Sequence, residues 1–296
     1  MALAHDELWP RAGNWPAAVT GNRYDFAVVG VPTWSTSLSP GHAYETPGAV
    51  RDAVRRYSHV LADGTDTTGL TIADFGDIAD PDTRESSAIE ALTQASQAST
   101  LLVAIGGDNA LTVPVALGSF ADARDSAGLI TVDAHLDVRD GVSNGSPVRR
   151  LVEEFGVDPT RVVQIGIADF ANSTAYLSRV RDWGVTVITR DDVARRGVVD
   201  VAEQALAIAG SAGGPIHVDL DIDACDRSVV PACPASIPGG LSAYEMRQFA
   251  RVFATHSQVK SIDLAEVDAR TDSADGRTVR LTALLILEAL AGLAAR

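Results

Sequence analysis

The chain has 296 residues, 46% of them hydrophobic, and a formal net charge of −15. That is enough apolar material for one large α/β domain or two small ones, and the acidic balance argues against nucleic acid or an anionic membrane as a partner. Lys260 is the only lysine, so Schiff-base or P-loop lysine chemistry has almost nowhere to live.

Residues 1–20 carry Asp6, Glu7 and Arg11 among prolines and lack the apolar stretch of a signal peptide. The longest apolar block, 283–287, stops at Glu288 and is too short to span a bilayer. A cytoplasmic protein is expected. Cys225 and Cys233 share one loop; they either pair or both stay reduced, and a reducing compartment favours the second.

In chain order, 1–24 reads as an irregular arm, with Trp9 and Trp15 packing it onto the body or a neighbour, and 25–296 as the α/β domain. Residues 25–31 are a largely apolar run, as in a strand buried on both faces. A loop rich in Ser, Thr, Pro and Gly follows, holding Trp34 and His42. Thr46 then reads as an N-cap with Pro47 at the first helical position, opening a helix to about Tyr57. Further strands are expected at 70–78, 100–105, 129–132, 161–167, 185–189, 216–220 and 259–264. Helices are expected at 85–99, from Asn109 to about Leu117, from Pro147 to Phe155, and at 173–183, 199–212 and 279–295. The stretch Ser242-Ala-Tyr-Glu245 has the form of a capping box. About eight strands alternating with helices imply right-handed crossovers and a mostly parallel eight-stranded sheet with helices on both faces.

Two stretches carry chemistry. Asp133-Ala-His135-Leu-Asp137 follows a strand, and alternate residues of an extended chain project to one side. His217-Val-Asp219-Leu-Asp221-Ile-Asp223 alternates acids with core residues. Either segment alone also fits a solvated strand end. Together they favour a carboxylate-rich site for a divalent ion such as Mn2+, because like charges held this close need a cation or protons between them. In open parallel sheets, sites gather beyond the carboxyl ends of the strands. Asp108, Asn109, 133–139, 221–226 and 266–268 all fall there.

With these motifs in order, Gly106-Gly107-Asp108-Asn109, Asp133-Ala-His135-Leu-Asp137, Asp221-Ile-Asp223-Ala-Cys225-Asp226 with Gly239-Gly240, and Asp263-Leu-Ala-Glu266, the sequence resembles the ureohydrolases: arginase, agmatinase, guanidino-acid hydrolases and formiminoglutamase. The resemblance runs from about residue 25 to the C-terminal helix and implies an arginase-like three-layer sandwich. Asp219/Asp221 and Asp221/Asp223 compete for one register; the second keeps the family's distances to Asp226 and Gly239-Gly240. The family's two metals would then be bridged by Asp133 and Asp221, with Asp137 and Asn109 completing one site and His135 and Asp223 the other. The resemblance further implies attack by a metal-bridging hydroxide on an amidine or guanidine carbon. Asp137 would orient that hydroxide and Glu266 would pair with the amidinium group.

Two positions depart from the family pattern. Asn109 stands where a His is usual, and an amide oxygen is the weaker ligand, so that site binds loosely, stays empty or selects a harder ion. Asn144, in Asn144-Gly145-Ser146-Pro147, stands where arginase and agmatinase place a His for proton transfer. Asp137-Val-Arg139, Gly166-Ile-Ala-Asp-Phe-Ala-Asn172-Ser and Asp275-Gly-Arg277-Thr-Val-Arg280 resemble the formiminoglutamase branch. Arg139 suits a bidentate clamp on a substrate carboxylate, with Asn144 and Ser146 as further substrate-binding positions. Arg277 and Arg280 fit structure or a subunit contact better. The favoured activity is cleavage of N-formimino-L-glutamate to L-glutamate and formamide. Alternatives are a guanidino hydrolase releasing urea, or a metal-poor, inactive paralogue serving as a scaffold. Retention of Asp133, His135, Asp137, Asp221, Asp223 and Glu266 argues against the last. Family members are commonly trimers or hexamers, so a homo-oligomer is expected.

Overall fold

Segments such as 100–105 have no polar side to turn toward water, and they become strands covered on both faces. In the computed structural model, which describes residues 6–296, eight strands form one sheet: β1 (Tyr24–Val31), β2 (Ile72–Asp77), β3 (Ser99–Gly106), β4 (Gly128–Val132), β5 (Val162–Ile167), β6 (Thr186–Thr189), β7 (Ile216–Asp221) and β8 (Val259–Ala265). Their order is β2-β1-β3-β8-β7-β4-β5-β6, and every pairing is parallel.

The helices are α1 (Thr46–Val54), α2 (Glu85–Gln97), α3 (Thr112–Phe120), α4 (Pro147–Glu153), α5 (Thr174–Trp183), α6 (Arg190–Arg196), α7 (Val198–Ala209), α8 (Ala243–Thr255) and α9 (Arg277–Ala294). Val50 of α1, Val201 of α7, Phe249 of α8 and Ile286 of α9 share one buried cluster with Val103, Val218 and Ile262 of the sheet. The opposite face is covered by α2 and α3, and further along by α4 and α5, through Leu92, Val115, Leu151 and Val180. The result is a three-layer α/β/α sandwich. Among the described residues no helix is long and apolar enough to cross a membrane.

Local differences from expectation have plain causes. Helix α6 was not anticipated, because Arg-Asp-Asp-Val-Ala-Arg-Arg buries only Val193; its start is fixed by a capping box between Thr189 and Asp192. Thr46 is not an N-cap. It lies inside the first turn of α1, and its hydroxyl donates to Val267 O at 2.5 Å, tying the helix to the loop after β8. The capping box of Ser242 and Glu245 forms as expected. In the arm, Ala12 is buried, and Arg11 and Ala17 make isolated bridges to Ser58 and Asp74.

Because all strands are parallel, their carboxyl ends share one rim. At the end of β3 the chain must pass close to the loop after β1. A Cβ on Gly107 would lie 1.9 Å from Thr33 O, and two hydrogen bonds lock the crossing: Asp108 N to Thr33 O (3.0 Å) and Thr33 Oγ1 to Asp108 O (2.8 Å). Gly107 O also accepts from Glu266 N at 2.9 Å. The variant Gly107→Ala is therefore expected to lose about 1–3 kcal/mol of stability through overpacking against backbone, read as a lower midpoint in urea unfolding. An unchanged midpoint would contradict this close approach.

Candidate metal centre

β4 ends at Val132, and 133–139 continue as a loop rather than as extended strand. The expected convergence of Asp133, His135 and Asp137 by strand alternation is thus corrected: side chains and neighbouring backbone fold the loop into place. Asp133 N donates to Ile165 O at 2.9 Å, and Asp133 Oδ1 accepts from His135 N at 2.6 Å. Asp137 sits at φ 51 and Glu266 at φ 62, left-handed conformations that non-glycine residues rarely adopt and that concentrate at functional sites. Asp223 lies just past β7 in the turn Ile222–Ala224, its N–H donating to Asp221 Oδ1 at 2.8 Å.

The cluster is tight. His135 Nδ1 is 2.7 Å from Asp223 Oδ2 and 3.5 Å from Asp133 Oδ1. Asp223 Oδ1 also accepts from Ala134 N at 3.1 Å. Asp133, Asp221, Asp223 and Glu266 are buried, while His135 and Asp137 open onto a cavity of about 460 Å3. Burial, followed by the charges of Asp223 and Asp137, raises the Asp133 carboxyl well above its ordinary range. Asp221 is raised likewise, by burial and then Asp223 and Asp133. Burial holds Asp137 at about 7, opposed by His135 and reinforced by Asp223. For His135 burial works downward, but the hydrogen bond and charge of Asp223 outweigh it and bring the imidazole to about 9. A buried set of carboxylates that resist ionising together, mostly hard oxygen donors with one imidazole, fits a pair of divalent cations.

The remaining expected residues are distributed unevenly. Asn109 turns its amide nitrogen to Asp137 Oδ2 (2.7 Å), while its oxygen accepts from Thr112 Oγ1 (2.6 Å). Asn144 lines the cavity and bridges two elements: its Nδ2 donates to Glu266 Oε1 at 2.6 Å, and its Oδ1 accepts from Leu38 N at 2.9 Å. Asn109 N also donates to Glu266 Oε1, at 2.9 Å. Arg139 stands exposed at the cavity wall, and among the described residues no carboxylate pairs with its guanidinium. Ser146 corrects an expectation. It is fully buried, and its hydroxyl is engaged by Ser143 N and O at 2.9 and 2.8 Å, so it does not face the cavity. His42 also stands apart from the cavity, its backbone N–H bound to Asp268 at 2.9 Å.

Asp219 faces a different partner from Asp221 and Asp223. It lies opposite Asp263 across β7 and β8, one layer below the cavity. Burial and the adjacent Asp263 raise its carboxyl well above the ordinary range. His217 completes this layer, bonded to Ser261 Oγ at 2.7 Å and Asp263 Oδ2 at 3.2 Å. Cys225 and Cys233 are both buried and free, and the Cys233 thiol lies beside the carboxylates of Asp221 and Asp223. The reading from sequence missed Asn172, Ser39 and Tyr176 as cavity residues. Of these only Asn172 left a signal, within the 166–173 motif.

This fold, with its acid-lined rim, defines a protein of the arginase class. A sequence profile described as the arginase family matches residues 24–292, and the chain belongs to that family. Within it, the formimidoylglutamase of Halalkalibacterium halodurans is 31% identical over 284 residues, covering 92% of this chain and 88% of the relative. The crystal structure of formimidoylglutamase from Bacillus subtilis superposes with a TM-score of 0.91 at 27% identity, covering 99% of this chain and 94% of that one. A formiminoglutamase from Trypanosoma cruzi solved with Mn2+ has a TM-score of 0.84 at 23% identity, covering 92% of this chain and 94% of that one, a likeness of fold alone.

The electrostatics set a pH dependence. In metal-free protein, Asp137 and Asp108, each held at about 7 by burial, keep protons that the unfolded chain releases near its ordinary carboxylate pKa. The folded state then binds more protons, and the stability these groups contribute is lost as pH rises through about 7. His135, raised to about 9, acts in the same direction at higher pH. Chelator-treated protein is expected to melt lower at pH 8 than at pH 6, and added Mn2+ to raise Tm more at pH 8. Calorimetry showing the larger Mn2+ effect at pH 6 would contradict this account of the cluster.

Proposed function

We propose that the chain is a Mn2+-dependent hydrolase of linear amidines that cleaves N-formimino-L-glutamate to L-glutamate and formamide. The observation that carries this proposal is the joint burial of Asp133, Asp221, Asp223 and Glu266 around His135 and Asp137 at the floor of one cavity. Support for the substrate comes from the relatives named above. The ions would be held by Asp133, His135, Asp137, Asp221 and Asp223, with Asn109 joining through Oδ1 after a half-turn of its amide. When bound, they supply Lewis-acid polarisation and a water of lowered pKa.

The chain's own groups do the positioning. Glu266 Oε1 is occupied by Asn109 N and Asn144 Nδ2, which leaves Oε2 to accept from the amidinium N–H groups. Asp137, which opens onto the cavity, orients the attacking water and accepts its proton. Asn144 cannot titrate, so its role is to brace Glu266 and the backbone at Leu38. Arg139 clamps a substrate carboxylate with two parallel hydrogen bonds. We assign the protein to the cytoplasm and to a homo-oligomer, a trimer or hexamer.

Metal content after Mn2+ loading and a substrate panel test this function. The expected result is formamide from formiminoglutamate with about two ions per chain; one ion with turnover would make the Asn109 site dispensable. Urea from guanidino acids would move the chain to the guanidino branch. An absence of both metal and turnover would refute the enzyme assignment. The variant Arg139→Ala is expected to raise KM for formiminoglutamate about tenfold or more, the loss of one charge-assisted pair, with a smaller change in kcat. Glu266→Gln is expected to lower kcat/KM by about a hundredfold, because a buried charge loses its partner; an effect below threefold would exclude the amidinium role.

A further inference from the structure

The loop 134–139 has left the sheet, yet residues 134–138 are buried or half-buried and their backbone polar groups need partners. Much of the supply comes from side chains. Leu136 O accepts from Gln164 Nε2 at 2.7 Å, Val138 O from Arg179 Nη1 at 2.6 Å, and Arg139 O from Arg149 Nε at 2.7 Å. Around His135 the supply is of another kind, because a single residue serves both sides. Asn172 Oδ1 accepts from Leu136 N at 2.9 Å, and Asn172 Nδ2 donates to Ala134 O at 3.1 Å.

We propose that the Asn172 carboxamide is a positioning residue for the metal centre: bonded to the backbone on both sides of His135, it fixes the imidazole where a metal ion needs it. The proposal rests on the metal reading given above. A carboxamide offers a donor and an acceptor side by side, and so takes the place of a strand partner across the peptide groups of 134–136. Its orientation is set by those partners, since the flipped amide would put oxygen against oxygen and N–H against N–H. Aspartate lacks the donor, and alanine lacks both groups. Leu136 is fully buried, so its N–H gains no water in exchange.

The chain is shaped to deliver this amide. β5 ends at Ile167, and Ala168 N makes the last main-chain bond to the ligand loop, to Ala134 O at 3.1 Å. Phe170 then adopts φ 64 with its side chain fully exposed, so no packing explains the strained conformation. That kink turns the chain back, two residues before Asn172, toward 134–136. Ser173 next caps α5, accepting from Tyr176 N at 3.2 Å. The amide is thereby held between a strand end and a helix start.

The test uses Co2+ as the probe, titrated into the metal-stripped full-length protein and read by calorimetry and visible absorption. Asn172→Ala is expected to weaken Co2+ binding about 10–100-fold, the range for residues that orient a ligand, and to change the Co2+ absorption bands. Asn172→Asp, which keeps the shape and the acceptor but not the donor, is expected to weaken binding as well, and it is the variant to read if the alanine protein does not fold. Ser173→Ala loosens the same loop without touching the amide and is expected to leave Co2+ affinity within about twofold, well below the range above. Normal affinity and bands in the folded Asn172 variants would overturn the proposal, whether thermal stability falls (a structural hook) or substrate KM rises (a substrate contact). Equal losses in the Ser173 variant would overturn it too. Absence of Co2+ binding by the wild-type chain would instead refute the metal reading itself.

Discussion

Carboxylates gathered at one buried rim repel one another, and the centre of this protein is arranged around that fact. Asp133, Asp221 and Glu266 are each pushed toward their protonated forms by burial and then by neighbouring carboxylate charge, that of Asp223 in every case. Asp223 is the exception, kept ionised against its burial by the hydrogen bond and charge of His135. Partial relief of this kind marks a site whose complement is positive charge from outside the chain. Asp137 and Glu266, both lining the cavity, also carry left-handed backbone conformations.

Beneath that rim the protein meets the same difficulty in another way. Asp219 and Asp263 face each other across adjacent strands, with His217 and Ser261 in the register below. There burial and the facing Asp263 push the Asp219 carboxyl toward its protonated form. In the next strands the same row continues with Thr131 and Gln164. Gln164 reaches from it to the carbonyl of Leu136 in the ligand loop. The floor of the cavity is thus stiffened by a polar seam, whereas the opposite side of the sheet is packed with Val218, Leu220 and Ile262.

Most of the architecture was legible because the strands are short apolar runs separated by turn residues, and because alternation with helices leaves few topologies. All eight strands fell where the pattern placed them. Helix α6 was not legible: with one buried residue it has almost no periodicity to read, and only its cap marks it. Thr46 was misread for a related reason, since a hydroxyl before proline looks like a cap unless one knows that Val267 O lies above it. At the site, residue types and spacing pointed to the acids and His135. Alternation alone left Asp219 in competition with Asp223, and only the family's distances to Asp226 and Gly239-Gly240 favoured Asp221 and Asp223; in the structure Asp219 lies opposite Asp263 on β8. Ser146 was out of reach for the same kind of reason, its hydroxyl being turned inward to Ser143.

The strand order has a consequence for how the molecule comes into being. β3, β8, β7 and β4, whose carboxyl ends carry Asn109, Glu266, Asp221 and Asp133, are neighbours in the sheet. In the chain, however, β3 and β8 are separated by the whole of β4 to β7. Pairing of that kind must close a very long loop and belongs to the slow part of folding. During synthesis, the acids after β4 will have left the ribosome well before β8 arrives to complete the rim. A nascent chain therefore carries only part of the acidic rim, and the buried cluster is complete only once the last strand has found its place.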